Sequence, residues 1–480
     1  MKRIKLYLLS AVAVLSVTSC FEDRDDNLIS ASEINDFVWK GMNVVYLYKA
    51  DVPDLADDRF ASNSEYTNYL NSFSAPEDIF ESLIFERQTV DKFSVIVPNY
   101  FDLQNQQGGT TMSNGLEYLF YLVPGSQTEV FGVIRLVLNN SVADGLNLQR
   151  GQFFNAIDGV ALNVDNFASL VSQETFTINF ADYNDNSTPE VTDDTVTSNG
   201  QSVDVFEQVY TENPVHQVET FNINGQSIGY LVYNGFNSNF NQQLNAAFGQ
   251  LQASNVQHLV LDLRYNPGGS VLTASYLGSM ITGQFNGEVF SKLFYNENLQ
   301  QNNTNFNFSN SIEGVGAINS LNLNKVYVLT TSRSASASEL VINSLKPYID
   351  VVQIGDNTTG KTQASITIYD SPNFAFQDVN PNHTYAMQPL VANSTNRDDL
   401  AVPSNGLTPN ISLIESPANF GTLGDVNEPL LAAAIADILG TGRLLYPTAQ
   451  HNEVKNTKEF LPFEDQMYID STLDINIAEQ

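Results

Sequence analysis

Three serines spaced by alanines, Ser334, Ser336 and Ser338 in Arg333-Ser-Ala-Ser-Ala-Ser-Glu339, and a lysine further along, Lys361, are the residues best suited to covalent chemistry. A serine hydroxyl attacks a carbonyl carbon only when another group takes its proton. The small residues lie between a β-forming stretch, Val326-Tyr-Val-Leu329, and a helix-forming one, Glu339-Leu-Val-Ile-Asn-Ser-Leu345, which predicts a strand-to-helix turn. The first amides of such a helix are unpaired and suit an oxyanion. Ser/Ala runs before helices also serve as N-caps, so the stretch has two readings. Lys361 suits the part of general base. A lysine ordinarily titrates near 10.4, and lowering it by about three units through desolvation corresponds to about 4 kcal/mol. The rival arrangement is a Ser–His pair acting on esters, with His383 or another of the histidines (His216, His258, His451) as base.

Two glycine turns accompany these residues. Asn266-Pro267-Gly268-Gly269 follows an apolar strand, where open α/β sheets place their sites, and lets the backbone approach a ligand closely. Its amides could complete an oxyanion hole with the N–H of Ala337, just after Ser336. Gly355-Asp-Asn-Thr-Thr-Gly360-Lys361-Thr362 matches the phosphate-loop pattern. A phosphate loop must open a helix, however, and Ser365-Ile-Thr-Ile-Tyr369 is β-forming, so nucleotide binding is not expected.

The elements that must position these groups alternate from Val218 onwards. Ser227–Tyr233 reads as a buried strand, 239–253 as an amphipathic helix with Phe240, Leu244, Ala247, Phe248 and Leu251 on one face, and His258–Leu263 as a strand buried on both sides. A helix over 270–281, strands at 326–329 and 351–354 and a closing helix over 428–439 complete a layered α/β core. The 365–369 and 384–388 stretches read as an antiparallel pair, and Asn296 to Ser311 as a surface loop. Upstream, Ile34, Phe37, Val38, Met42 and Val45 share a helical face, and a second helix is expected around 78–84, which gives a small helical cap. Residues 92–181 read as short strands, with Asp182 to Gly200 as a connector or exposed hairpin.

Composition narrows the function classes. Among 480 residues, 54 are acidic and 21 are Lys or Arg, so nothing basic is available to neutralise phosphates and nucleic acid is excluded as a partner. Lys2, Arg3 and Lys5 precede an apolar run from Leu6 to Val17, too short to span a bilayer, and Val17-Thr-Ser-Cys20 resembles a bacterial lipobox. Cys20 is the lone cysteine, so no intrachain disulfide exists and lipidation is its expected fate. The acidic stretch that follows looks like that of surface-exported Bacteroidetes lipoproteins. Expected placement is therefore the bacterial envelope, as an outer-membrane lipoprotein facing either the surface or the periplasm.

Two resemblances follow. Ala143 to Gly151 with Phe153 to Gly159 resembles the PDZ pattern, although Gln152 stands where an aspartate is expected. A PDZ module adds a peptide to a sheet edge and holds its carboxylate on loop amides, here in the region of Gly115 and Leu116. Tyr230–Phe236, Leu261–Gly269, Thr331–Glu339, Gly360-Lys361 and Gly406-Leu-Thr-Pro-Asn410 appear in the order seen in S41 (C-terminal processing, tail-specific) serine peptidases, and the chain resembles a Bacteroidetes lipoprotein branch of them. The resemblance implies a multi-domain α/β fold with a crotonase-like ββα core and a Ser336–Lys361 dyad. It further implies an oxyanion hole from Gly268 or Gly269 with Ala337, a structural Glu339, polypeptide substrates, and no metal or cofactor. The implied division is 1–19 signal peptide, 20–90 tether and helical domain, 91–182 PDZ-like domain, 183–217 connector, 218–446 catalytic domain and 447–480 polar, loosely packed tail. Family members carry a glutamine four residues after the lysine. Ser365 stands there, while Gln363 shares the face of Lys361 on a strand, and either is left to orient the base.

Overall fold

The computed structural model describes residues 31–188, 190–442, 451–454 and 467–469. The signal segment and Cys20 lie outside these residues, as does most of the C-terminal stretch. The architecture is mixed α/β and multi-domain, with a helical region first.

Helix Ala31–Val45 buries the face that its spacing predicts, with Ile34, Phe37, Val38, Met42 and Val45 all in the core. Helices Asn63–Leu70 and Pro76–Ser82 pack against it; Ser62 caps the first by accepting from the Glu65 N–H, and Pro76 opens the second, where its missing N–H costs nothing. This unit is docked on the rest of the molecule through backbone. Leu47 N–H donates to the Leu390 carbonyl at 2.8 Å, and Asn296 Nδ2 reaches the carbonyls of Val44 and Tyr46 at 3.0 and 2.9 Å.

Next comes an antiparallel sheet ordered Leu116–Leu122, Val130–Val137, Phe153–Ile157, Thr175–Asn184, Thr195–Phe206. Of the two readings of Asp182 to Gly200, the exposed hairpin is the one found, between Thr175–Asn184 and Thr195–Phe206. Thr195–Phe206 completes this sheet, Gln208–Thr211 pairs with Thr110–Ser113, and Val215–Ile223 begins the next sheet. The polar composition fits, because this hairpin is held by backbone ladder bonds and buries little side chain.

The core sheet runs Val215–Ile223, Gln226–Tyr233, His258–Asp262, Lys325–Thr330, Asp350–Gly355, Ile411–Ser412; the first pair is antiparallel and the remainder parallel. Both faces are covered, as a parallel sheet requires. Leu231, Tyr233, Leu259, Leu261, Val326 and Val328 face helices Asn241–Ala253, Val271–Thr282 and Ala337–Leu345. Their alternates Tyr230, Val232, Val260, Tyr327 and Leu329 face helix Pro429–Leu439.

A further sheet runs Gly269–Ser270, Met467–Tyr468, Gln363–Ser365, Leu390–Asn396, Val289–Tyr295, Thr304–Asn307, and Ile368–Tyr369 pairs antiparallel with Ala386–Gln388. Two expectations change here. Asn296 to Ser311 is not a plain surface loop, because Thr304–Asn307 is a strand and Asn296 is buried under the helical unit. The described part of the tail does not pack loosely, since Met467 is fully buried between two strands.

Candidate active site

The serine turn follows strand Lys325–Thr330 and leads into helix Ala337–Leu345. Two of its hydroxyls are spent on holding the turn. Ser334 Oγ donates to the Leu263 carbonyl at 2.8 Å, and Ser338 Oγ to the Asn266 carbonyl at 3.0 Å. Ser336 differs in three ways. It sits at φ +62°, a region that L side chains rarely occupy; it is 0% exposed; and its Oγ has no hydrogen-bond partner. It occupies the N-cap position, yet its hydroxyl does not cap. A strained, buried, unspent hydroxyl costs stability, and such costs cluster where a group is kept for chemistry.

Glu339 explains how that backbone is held. Its Oε2 accepts from the Ser336 N–H at 2.8 Å and from the Lys361 N–H at 2.9 Å, while Oε1 accepts from the Gly360 N–H at 2.7 Å and from the Thr358 hydroxyl. The amides of Ser336 and Lys361 therefore lie no further apart than those two bonds together allow. Burial pushes the Glu339 carboxyl above its ordinary range, and the four donors oppose that shift. The structural part expected of this residue takes a specific form: one carboxylate ties the serine backbone to the lysine backbone. The Ser-x-x-Glu spacing of a capping box was the available signal.

Lys361 is 0% exposed, and its ammonium lies 4.8 Å from the centre of the Phe93 ring, a cation–π distance. Gly360, at φ +91°, makes the turn possible: a Cβ there would come 2.3 Å from the Ser404 carbonyl oxygen. The segment then enters strand Gln363–Ser365, not a helix, which is the context a phosphate loop lacks. Gln363 Nε2 donates to the Tyr48 hydroxyl at 3.1 Å, and Ser365 Oγ donates to the Met467 carbonyl at 3.1 Å.

The glycine turn is joined to the serine turn by Asn266. Its carbonyl accepts from Ala335 N–H and Ser338 Oγ, its Nδ2 donates to the Tyr233 carbonyl, and its Oδ1 accepts from the Gly268 N–H at 2.9 Å. The Gly268 amide is thus engaged. Gly269, at φ +130°, bridges Phe236 through the Gly268 carbonyl and the Ser270 N–H, and its other edge faces the parallel strand Met467–Tyr468. Ala337 is the first residue of the helix.

Three of the four histidines are committed elsewhere. His383 Nε2 pairs with Asp370 at 2.9 Å, His258 with Gln226, and His451 with Tyr183 and Asp194; the unpartnered Ser336 Oγ meets none of them. In the β-rich sheet, the amides of Gly115 and Leu116 donate to Ser113 Oγ and Asn114 Oδ1, both at 2.9 Å, so a peptide carboxylate there would have to displace side chains. Among the described residues no cluster of His, Cys, Asp and Glu suits a metal, and no helix is long and apolar enough to cross a membrane.

The chain resembles the S41 peptidases in both its helical unit and its α/β core. Residues 227–377 match the family model described as peptidase family S41, and residues 33–95 match the peptidase S41 N-terminal domain. The second match falls on the helical cap, in which the sequence alone disclosed no chemistry. A crystal structure of a candidate S41 protease from Bacteroides fragilis shares 26% identity, with a TM-score of 0.68 over 85% of this chain and 97% of that one. A CtpA-like serine protease of Staphylococcus epidermidis is 29% identical over 28% of this chain, and a carboxyl-terminal-processing protease of Picosynechococcus is 27% identical over 34%. The chain spans a quarter of the length of the first and about a third of the second. The S41 resemblance carried by the motifs is thus found independently in both segments.

Proposed function

We propose that the protein is a serine endopeptidase of the cell envelope that cleaves unfolded or C-terminally exposed polypeptides with a Ser336–Lys361 dyad. The carrying observation is that, of three serines in one turn, only the middle one is left strained, buried and unpartnered, with its amide on the same carboxylate as that of a buried lysine. In this reading Ser336 Oγ attacks the scissile carbonyl carbon as Lys361 Nζ takes its proton. The tetrahedral oxyanion is held by the amides of Ala337 and Gly269, with Gly268 contributing if it leaves Asn266. The C–N bond then breaks as Lys361 returns the proton to the leaving amine, and water releases the acyl group by the same route. Gln363 would orient Lys361 when free of Tyr48.

The β-rich unit would serve as a PDZ-like module that presents peptide at Gly115 and Leu116, and Cys20 as the lipid anchor. Casein or tailed-peptide turnover tests the reading: activity in the wild type and its loss in both Ser336→Ala and Lys361→Ala support it, and equal turnover in all three ends it. The second reading is a catalytically silent peptide-binding lipoprotein on the same scaffold. It is favoured by the absence of a hydrogen bond to Ser336 Oγ, and predicts peptide capture without turnover.

A further inference from the structure

Two backbone edges of this molecule are occupied by its own C-terminal residues. The strand Leu116–Leu122 is the outermost of the β-rich sheet. Residues 451–454 pair with it antiparallel: Tyr121 faces Glu453, Leu122 N–H donates to the Asn452 carbonyl at 2.9 Å, and Val454 N–H donates to the Phe120 carbonyl at 2.9 Å. Further along, Met467–Tyr468 lies parallel to Gly269–Ser270 on one side and to Ser365 on the other. Ser365 Oγ donates to the Met467 carbonyl, Ile469 N–H to the Ser365 carbonyl at 3.2 Å, and Tyr468 Oη to the Phe236 carbonyl at 3.2 Å.

The places so covered are specific. Gly269 belongs to the glycine turn beside the serine turn, and Ser365 ends the strand that begins just after Lys361. Glu453 forms an ion pair with Arg333, the residue that opens the serine turn. Tyr468 also walls a cavity of about 170 Å³ whose other walls include Pro267, Gly268 and Gly269. The contacts are largely main chain to main chain, the mode by which an extended peptide of any sequence joins a sheet.

We propose that these two edges form a binding path for extended polypeptide, and that in this structure the chain's own residues 451–454 and 467–469 occupy it as tethered competitors of substrate. The proposal rests on the peptidase reading of Ser336 and Lys361. A tethered segment acts at an effective concentration on the order of millimolar, so a substrate enters only by out-competing it. Ser336 and Lys361, both fully buried here, are then those of the occupied state.

Full-length variants test this. Val454→Pro removes the N–H that reaches Phe120, and Met467→Asp places a charge where the strand is fully buried. Both are expected to cleave unfolded casein at least fivefold faster than wild type, and a free peptide of residues 451–469 is expected to return Met467→Asp to the wild-type rate. In a Ser336→Ala background, the free peptide labelled with a fluorophore should bind the Met467→Asp form and not its parent. Peptide binding without casein turnover in any form would support the occupancy and overturn the peptidase reading. Unchanged or lower turnover in both variants with no peptide binding would overturn the occupancy. Loss of a cooperative melt in both would also do so, because a displaceable occupant is not needed for folding.

Discussion

Ser336 is held against its backbone preference by Glu339, and that carboxylate is the residue-scale feature with the sharpest consequence. Glu339→Gln replaces an acceptor by an amide that presents N–H to the N–H groups of Ser336, Gly360 or Lys361. A loss of about 1–3 kcal/mol in chemical denaturation is expected, as for buried donors left without an acceptor, together with a fall in turnover. Glu212 lies in the wall of the cavity beside the glycine turn, and burial, with Glu117 nearby, pushes its carboxyl up to about 7. A carboxyl that binds its proton more tightly when folded stabilises the fold at low pH, and that contribution is lost as pH rises from about 4.5 to about 7. Glu212→Gln should therefore raise the melting temperature at pH 8 and leave it unchanged at pH 4; the reverse order would refute the assignment. Five separated motifs that agree in order single out Ser336 and Lys361 in the sequence. The bond from one glutamate to both was not, because it depends on tertiary approach.

At the scale of elements, the glycine turn is the most constrained. A Cβ on Gly269 would lie 2.2 Å from the Phe236 carbonyl oxygen, and the residue sits at φ +130°. Gly269→Ala is expected to lose about 1–3 kcal/mol or more, read by urea titration, and to displace the bridge that aligns the turn. Hydrophobic period alone located nearly every helix and strand of the core, because each has an apolar face that must be buried, as with Phe37, Val38 and Met42 or Leu259 and Leu261. It did not locate strands such as Thr195–Phe206 and Thr304–Asn307, which are polar and are specified by their partners' backbones. Nor did it disclose that Asn296 anchors the helical cap, since a buried asparagine reads from sequence like an exposed one.

For the whole molecule, a buried ion network fastens the β-rich sheet to the core. Arg150 reaches Glu415, the Tyr265 hydroxyl and the Gly421 carbonyl, and Glu415 also meets Arg264, which pairs with Asp262 and Glu428. Although burial opposes it, the two guanidinium groups hold the Glu415 carboxyl down at about 2. The stability that this provides is present above about pH 4.5 and lost as pH falls toward 2. Arg150→Met is expected to cost about 3–5 kcal/mol at pH 7 and to flatten the acid side of the stability profile, measured by denaturation from pH 7 to pH 3. The decisive comparison is hydrolysis of an unfolded, C-terminally exposed polypeptide by the wild type, Ser336→Ala and Lys361→Ala, each checked for an unchanged fold. The account predicts cleavage by the wild type and a loss of at least about a thousandfold in both variants. Retention of activity by Lys361→Ala, with loss in a histidine variant, would contradict it.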